Sequence, residues 1–155
     1  PSAATKPGYD VDSLPKPMNA LFSTIIGLLQ KEGKKAKAMR QLSDVLQHLT
    51  AAANGSPLPI LTAAVERASP LVRMRSRKQG GKNIQVPLPL SERQATRRGI
   101  TAILEASKKR SDAELSVRLA KEILAVVEGT SNTLQRKEEA HKIALINRAN
   151  AAVRI

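Results

Sequence analysis

The chain has 155 residues, a length that suits one domain with a hydrophobic core rather than two domains. Its 26 lysine and arginine residues outnumber 13 acidic residues, and the formal charge of +13 favours an anionic partner: nucleic acid, an anionic membrane surface or an acidic protein. The absence of cysteine excludes disulfides and thiolate metal sites, and the absence of tryptophan, with one tyrosine and one phenylalanine, excludes an aromatic platform for stacking bases.

Residues 1–17 are predicted to be an extended tail, because they hold four of the nine prolines. This tail shows neither the apolar stretch of a signal peptide nor the arginine pattern of a transit peptide. Because the first residue is Pro1 rather than methionine, we expect the chain to be processed or to start inside a longer gene product. Residues 18–155 are predicted to form a single helical domain.

Three helices are predicted next from the spacing of apolar residues. The first begins with Asn19 as its cap and ends at Gly33, and the second begins near Lys35 and stops before residues 54–57. The third covers about residues 58–68 and ends before Pro70. The second helix is predicted to pack through a seam at a 3-4-3-4 spacing, made of Met39, Leu42, Leu46, Leu49 and Ala53.

A two-stranded β-arm is predicted at about residues 71–88. Apolar and polar side chains alternate on both sides of a reversal at Gly80 and Gly81, two residues that can adopt positive φ. The alternation predicts a ribbon with one mostly apolar face and one arginine face. A lone hairpin is marginally stable in water, so the apolar face is expected to lean on the body while the arginines lie against a polyanion.

Three further helices complete the predicted domain. Capping boxes at residues 91–94 and 111–114 mark the starts of the fourth and fifth helices. The fourth ends at Lys108-Lys109-Arg110, the fifth ends at Gly129, and the sixth runs from about Asn132 to Val153. The fold class is therefore mainly α, with about six helices and a protruding hairpin.

Clusters of cations mark the candidate contacts with an anion. The arm carries five cations within ten residues and no acid, although charged edge strands also serve to block unwanted pairing. Lys34 and Lys35 open the second helix, where the helix dipole disfavours cations unless a phosphate binds there; a solvated first turn is the alternative. Arg118 lies between Glu114 and Glu122 at i,i+4 spacing and is predicted mainly to form helix ion pairs.

No catalytic or metal-binding arrangement is apparent. His48 is predicted to be a packing or surface residue, whereas His141 shares a helix face with Lys137 and Arg148, which favours phosphate contact. No nucleophile–base pair, no carboxylate pair in an apolar setting and no phosphate-cradling glycine loop is present. We therefore expect no enzyme activity, no cofactor, no metal and no small-molecule substrate.

The ordered motifs resemble a known family, small-subunit ribosomal protein seven of the bacterial and organellar type. The resemblance covers roughly residues 19–152. Its anchors are Gly33-Lys34-Lys35, Pro70-Leu71-Val72, Arg75-Ser76-Arg77, Gly80-Gly81, Gln85-Val86-Pro87, Lys109-Arg110-Ser111, Arg118-Leu119-Ala120 with Glu122, and Lys137-Glu138 with His141, Ala144, Asn147, Arg148 and Ala149.

The resemblance implies a primary binder of the 3′ domain, or head, of small-subunit rRNA, with the arm near the exit-site tRNA and the mRNA path. Neighbouring small-subunit proteins are the other implied partners. Charge clustering and resemblance together give the candidate rRNA-binding residues Lys34, Lys35, Lys37, Arg40, Arg73, Arg75, Arg77, Arg93, Arg97, Arg98, Lys108, Lys109, Arg110, Lys137, His141 and Arg148. The arm tip expected near tRNA and mRNA consists of Lys78, Gln79, Gly80, Gly81 and Lys82.

Departures from the family pattern favour an organellar member. Bacterial members typically begin with a dense arginine run, whereas this chain reads Pro1-Ser2-Ala3-Ala4-Thr5, and Arg73 stands where many relatives carry glutamate. The usual aromatic tail is replaced by residues 151–155. A ribosome of the mitochondrial matrix is therefore the expected location, with the bacterial cytoplasm as the alternative.

Other functional classes stay open at this level. A nucleoid-type DNA-binding protein also uses a basic β-arm and reads DNA shape, so it is the second hypothesis. An RNA-processing enzyme is the third, and it would need a perturbed acid–base pair that the sequence does not show. A membrane partner is least favoured, because no apolar run approaches the roughly 20 residues that span a bilayer.

Overall fold

The computed structural model of the chain describes residues 16–152 and shows six α-helices, one two-stranded antiparallel sheet and a short 3-10 helix. Residues 1–15 of the tail predicted at 1–17 and the last three residues lie outside this range, whereas Lys16 and Pro17 belong to α1. The elements are α1 Lys16–Leu29, α2 Lys35–Ala53, α3 Leu58–Ala68, β1 Val72–Gln79, β2 Lys82–Pro89, α4 Glu92–Ser107, α5 Leu115–Glu128, α6 Asn132–Ile146 and the 3-10 helix Arg148–Ala152. The predicted fold class, mainly α with a β-arm, is confirmed.

Helices α1 to α5 enclose the hydrophobic core. Phe22, Val45, Leu49 and Val126 are completely buried in it. Because α5 packs against α2, α3 and α4, it lies at the centre of the bundle. The amphipathic spacing of these helices thus places their apolar stripes inward and leaves α6 and the arm at the periphery.

Two boundaries of α1 differ from the prediction. The helix begins at Lys16, so Asn19 lies inside it rather than at its cap, and it ends at Leu29 rather than at Gly33. The connection to α2 turns through two residues with positive φ, Glu32 at 55° and Gly33 at 72°. Gly33 therefore serves the turn rather than the helix end.

The packing face of α2 is also only partly as predicted. Leu42, Leu46 and Leu49 are buried, whereas Met39 is 44% exposed and Ala53 is exposed. Ala38 and Val45 are buried as well. The buried stripe of α2 is therefore rotated around the helix axis, away from Met39 and toward Ala38 and Val45.

The two predicted capping boxes have different outcomes. Ser91 caps α4: its hydroxyl accepts a hydrogen bond from the Gln94 N–H at 3.3 Å, and the Gln94 side chain accepts one from the Ser91 N–H at 3.2 Å. The box predicted at residues 111–114 is wrong, because α5 begins at Leu115 after an uncapped Glu114. Asp112 instead accepts a hydrogen bond from Lys121 Nζ at 2.7 Å, which holds the pKa of its carboxyl below the ordinary value.

The register of the arm corrects the prediction of an apolar face and an arginine face. Gly80 and Gly81, at φ values of 58° and 78°, make a two-residue turn that pairs Gln79 with Lys82. This register sets Arg75 opposite Val86. Side chains of directly opposed residues share a face, so the arginines of β1 and the apolar residues of β2 lie on the same side.

The arm is held at its base by the C-terminal part of the chain. Helix α6 packs against β1, and the 3-10 helix packs against β2, where Val86 is completely buried. The prediction of a sixth helix reaching Val153 is wrong, because α6 ends at Ile146 and the 3-10 helix follows. Within residues 16–152, no helix combines the length and the apolar character needed to cross a membrane.

Candidate nucleic-acid interface

A basic cleft of about 610 Å³ opens between the base of the arm, α4 and α6. Its cationic lining residues are Arg73 from β1, Arg97 and Arg98 from α4, and Arg136 and Lys137 from α6. Glu105 is the one acidic side chain among the described residues that line it. We refer to this site as the basic cleft.

The α4 wall of the cleft follows from helical periodicity. Gln94, Arg97, Arg98, Thr101 and Glu105 recur at spacings of three and four, so they form one stripe along the helix. The opposite stripe, which includes Gly99, Ile100 and Ile103, is buried. The core therefore fixes α4 with its arginines directed to the cleft, and the capping box at Ser91 fixes where the helix starts.

The α6 wall is tied to the segment that leads into the arm. Lys137 Nζ donates a hydrogen bond to the carbonyl oxygen of Arg67 at 2.7 Å, and His141 Nε2 accepts one from the Leu71 N–H at 3.1 Å. Both side chains were predicted as RNA contacts, and the structure gives both a bond within the chain. Lys137 still lines the cleft, whereas His141 does not.

The cleft carries an uncompensated positive charge. None of the three ion pairs found among the described residues involves its five cations. A clustered positive potential with so few acids attracts polyanions and raises their association rate.

The remaining cations of the arm extend the positive surface away from the body. Arg75, Arg77, Lys78 and Lys82 are exposed, and so are both glycines of the turn. Arg75 and Arg77 lie on the same face of the ribbon as Arg73. Val86, on the same face, is completely buried where the 3-10 helix packs against β2, so the exposed positive surface of the arm follows the arginines of β1.

The cations of α2 form a separate group. Lys34, Lys35, Lys37 and Arg40 are all exposed at the start of this helix, and none of them lines the basic cleft. Lys34 Nζ lies 3.0 Å from a carboxylate oxygen of Glu32, with both side chains mostly exposed. Arg93, Lys108 and Arg148 are exposed and lie outside the cleft lining as well.

Lys109 and Arg110 line a second, smaller cavity beside the cleft. Arg110 Nε lies 2.9 Å from Glu122 Oε2, and the Glu122 side chain is almost fully buried. The prediction that Arg118 pairs with Glu114 and Glu122 is wrong: Arg118 Nη1 donates to the backbone carbonyls of Asp112 and Ala113 at 2.8 and 3.0 Å. Arg110 takes the carboxylate that the helical spacing assigned to Arg118.

Arg136 is the cleft cation that sequence reasoning missed. It precedes Lys137 by one residue and joins it on the stripe that also contains Thr133 and Ala140. The i,i+3 spacing from Thr133 was the available signal, but α6 carries apolar residues on several sides and its cleft-facing stripe is hard to read. His48, predicted as packing or surface, is exposed.

The sequence profile of one family, described as ribosomal protein S7p/S5e, matches residues 3–148. The small ribosomal subunit protein uS7m of Schizosaccharomyces pombe is 35% identical over 141 residues, which cover 91% of this chain and 54% of that protein. This chain therefore matches about half the length of that relative.

Two shorter relatives match over most of both chains. The small ribosomal subunit protein uS7c of Paulinella chromatophora is 35% identical over 144 residues, covering 91% of this chain and 92% of the relative. The small ribosomal subunit protein uS7 of an Azoarcus species is 33% identical over 135 residues, covering 87% and 86%.

Proposed function

The chain belongs to the ribosomal protein S7p/S5e family, and from this premise we propose that its basic cleft binds the 3′ domain of small-subunit rRNA and helps to organise the head of the subunit. Membership makes the chain a structural constituent of the small ribosomal subunit rather than an enzyme.

The single observation that carries the proposal is the convergence of five cations on one cleft. Arg73, Arg97, Arg98, Arg136 and Lys137 come from three elements and surround one groove. Arginine presents a planar fork of donors that matches the oxygens of a phosphate, and four of the five cations are arginines. Because the chain has almost no aromatic side chains, affinity must come from backbone phosphates and shape rather than from base stacking.

The arm has a different proposed role from the cleft. Its exposed tip, residues 78–82, lies at the far end of the ribbon from the base that α6 holds. We place this tip near the exit-site tRNA and the mRNA path, and we place rRNA and neighbouring small-subunit proteins against the body. The exposed cations of α2 and α4 outside the cleft are proposed as further rRNA contacts.

The proposed location is a mitochondrial ribosome, supported by the uS7m relative of Schizosaccharomyces pombe. The uS7c and bacterial uS7 relatives match to a similar extent, so a bacterial cytoplasmic ribosome is the alternative. The family match does not support the nucleoid-type DNA-binding hypothesis.

A binding comparison tests the proposal. The full chain should bind a transcript of the 3′ domain of small-subunit rRNA more tightly than duplex DNA of equal length at the same salt concentration. The Arg97→Gln/Arg98→Gln variant should weaken rRNA binding, because it removes two cations from the cleft. The control Lys121→Gln/Lys142→Gln removes the same charge outside the cleft and should bind nearly as the parent does. Equal loss in both variants, or equal affinity for DNA, would contradict the assignment.

A further inference from the structure

We infer that a second cavity beside the basic cleft holds one phosphate group of the bound RNA backbone; this inference depends on the proposed RNA binding. The cavity has a volume of about 250 Å³ and lies between the C-terminal end of α4 and the first turn of α6. Its lining includes Lys109, Arg110, Glu122, Thr133 and Arg136. We refer to it as the α4–α6 cavity.

The charge in this cavity favours an anion in spite of Glu122. That carboxylate is 4% exposed and both of its oxygens are engaged: Oε2 accepts from Arg110 Nε at 2.9 Å, and Oε1 accepts from the Ser131 hydroxyl. Lys109 and Arg136 are exposed and have no ion-pair partner among the described residues. Arg110 balances the charge of Glu122, so Lys109 and Arg136 leave the site net positive.

The bond to Glu122 also fixes the orientation of Arg110. Its Nε is engaged, and the structure shows no hydrogen bond from its terminal nitrogens within residues 16–152. A guanidinium held on one edge keeps its terminal N–H groups in a fixed plane, which suits the oxygens of a phosphate. Glu122 is thus a positioning residue for Arg110.

Thr133 provides the independent observation that points to a ligand. It is 2% exposed, it lines both the α4–α6 cavity and the basic cleft, and its hydroxyl has no hydrogen-bond partner among the residues that the structure describes. Buried side-chain hydroxyls are rarely left without a partner. Its own backbone N–H is already bonded to the Ser131 hydroxyl at 3.1 Å. A phosphate oxygen at the first turn of α6 would accept from the Thr133 hydroxyl, at a helix end whose dipole favours anions.

The size of the α4–α6 cavity and its position beside the basic cleft favour a phosphate that belongs to an RNA strand. The cavity is smaller than the roughly 300–1,000 Å³ typical of pockets for drug-sized ligands, so it suits a compact group. Arg136 and Thr133 line this cavity and the basic cleft alike, so the two sites adjoin. An RNA strand in the cleft that passes Arg136 brings its next phosphates to the cavity.

Two substitutions in the full chain test the site. Thr133→Val removes this hydroxyl, so the midpoint of thermal unfolding should stay equal or rise, while rRNA affinity should fall about 10- to 150-fold through loss of one hydrogen bond to a charged group. Lys109→Ala should make the dependence of log K on log salt shallower by about 0.7–0.9, the contribution of one phosphate. The matched controls are Thr24→Val and Lys142→Ala, which change the same groups elsewhere.

The outcomes separate the two proposals. If the parent binds rRNA but Thr133→Val and Lys109→Ala behave like their controls, the cavity assignment is overturned and the cleft assignment stands. If the parent fails to bind rRNA, both fall. Titration with inorganic phosphate at constant ionic strength, followed at the Thr133 amide by NMR, checks the source of the ligand. Saturation by free phosphate that persists unchanged in the presence of bound rRNA would overturn the assignment to the RNA backbone.

Discussion

His141 Nε2 accepts a hydrogen bond from the backbone N–H of Leu71 at 3.1 Å, which joins α6 to the residue that precedes the arm. A second hydrogen bond joins the 3-10 helix to β2: Asn150 Nδ2 donates to the carbonyl oxygen of Gln85 at 3.0 Å. The arm is therefore bonded to the C-terminal part of the chain at two levels along its length. The direction of the arm depends on α6 and the 3-10 helix as well as on its own strand pairing.

Replacement of His141 with alanine should loosen the base of the arm. One neutral hydrogen bond contributes about 0.5–1.5 kcal/mol, so the Leu71 amide should exchange with solvent about two- to tenfold faster. Hydrogen exchange followed by NMR measures this, and the exposed His48→Ala serves as the control. Residues 78–82 should exchange rapidly in every variant, because they lie at the exposed tip. Unchanged protection of Leu71, or strong protection of the tip without RNA, would contradict this description.

Gly99 is required by the contact between α3 and α4. A Cβ at this position would lie 2.7 Å from Ser69 Oγ and 3.0 Å from the Ser69 Cα and N atoms. Gly99→Ala should therefore lower the free energy of unfolding by about 1–3 kcal/mol, as overpacking does in a well-packed core. Urea denaturation measures the change.

Gly27 is the matched control on α1, where an added Cβ meets nothing within 4 Å. Because glycine costs a helix interior conformational entropy, Gly27→Ala should raise the free energy of unfolding by about 0.5–1 kcal/mol. Equal effects at the two glycines would show that backbone entropy, rather than the Ser69 contact, decides the outcome at Gly99.

Most of the fold could be predicted because apolar spacing and turn residues act locally. The third helix, the hairpin turn and the capping box at Ser91 follow from short segments whose preferences agree with the final structure. The box predicted at Ser111 does not form. Lys121 instead donates to the Asp112 carboxylate and Arg118 donates to the carbonyls of Asp112 and Ala113, so side chains from the first two turns of α5 bind this segment. Helix ends depend on such competition more than helix interiors do.

The faces of the arm follow from the length of its turn and not from the alternation within each strand alone. A two-residue turn at Gly80 and Gly81 pairs odd-numbered residues with even-numbered ones, so Arg77 must oppose Ile84. The shift of one residue moves every side chain of β2 to the other face relative to β1. The arginines of β1 and the apolar residues of β2 therefore share a face.

The basic cleft could be predicted only in part. The clustered cations of α4 and α6 can be seen in the sequence. Only the packing of α6 against β1, however, brings them to one cleft with Arg73. The α4–α6 cavity could not be predicted, because it depends on the ends of two helices that are far apart in the chain and on a buried hydroxyl. Single-residue charge patterns carry no information on such contacts.

Replacement of Lys34 and Lys35 with alanine should separate stability from binding. Removal of cations from the start of α2 should stabilise the isolated protein by about 0.3–1 kcal/mol through the helix dipole. The exposed contact of Lys34 with Glu32 offsets little of this gain, since exposed ion pairs contribute little. Binding of 3′-domain rRNA should weaken in the same variant. Unchanged rRNA affinity would show that the first turn of α2 is simply solvated.

Shortening of the arm should spare the body. The register requires that residues 78–83 be replaced by Asn-Gly, because Arg77 then still opposes Ile84 across a two-residue turn. The change removes two cations and no core residue, so folding should persist and rRNA affinity should fall only modestly.

Retention of tRNA in reconstituted small subunits should fall more than rRNA affinity in the shortened variant. Lys78→Gln/Lys82→Gln, which keeps the length of the arm, separates loss of charge from loss of reach. Abolished rRNA binding in the shortened variant, together with neutral Lys34 and Lys35 substitutions, would refute the division between arm and body.

The most direct test is the salt dependence of rRNA binding. It shows whether the clustered cations of the basic cleft and its surroundings bind RNA phosphates. Six to ten phosphate contacts predict a slope of log K against log salt of about −4 to −9 for the parent chain. The Arg97→Gln/Arg98→Gln variant should show a slope shallower by about 1.4–1.8, the contribution of two contacts. A parent slope near −1, or an identical slope in the variant, would contradict the account.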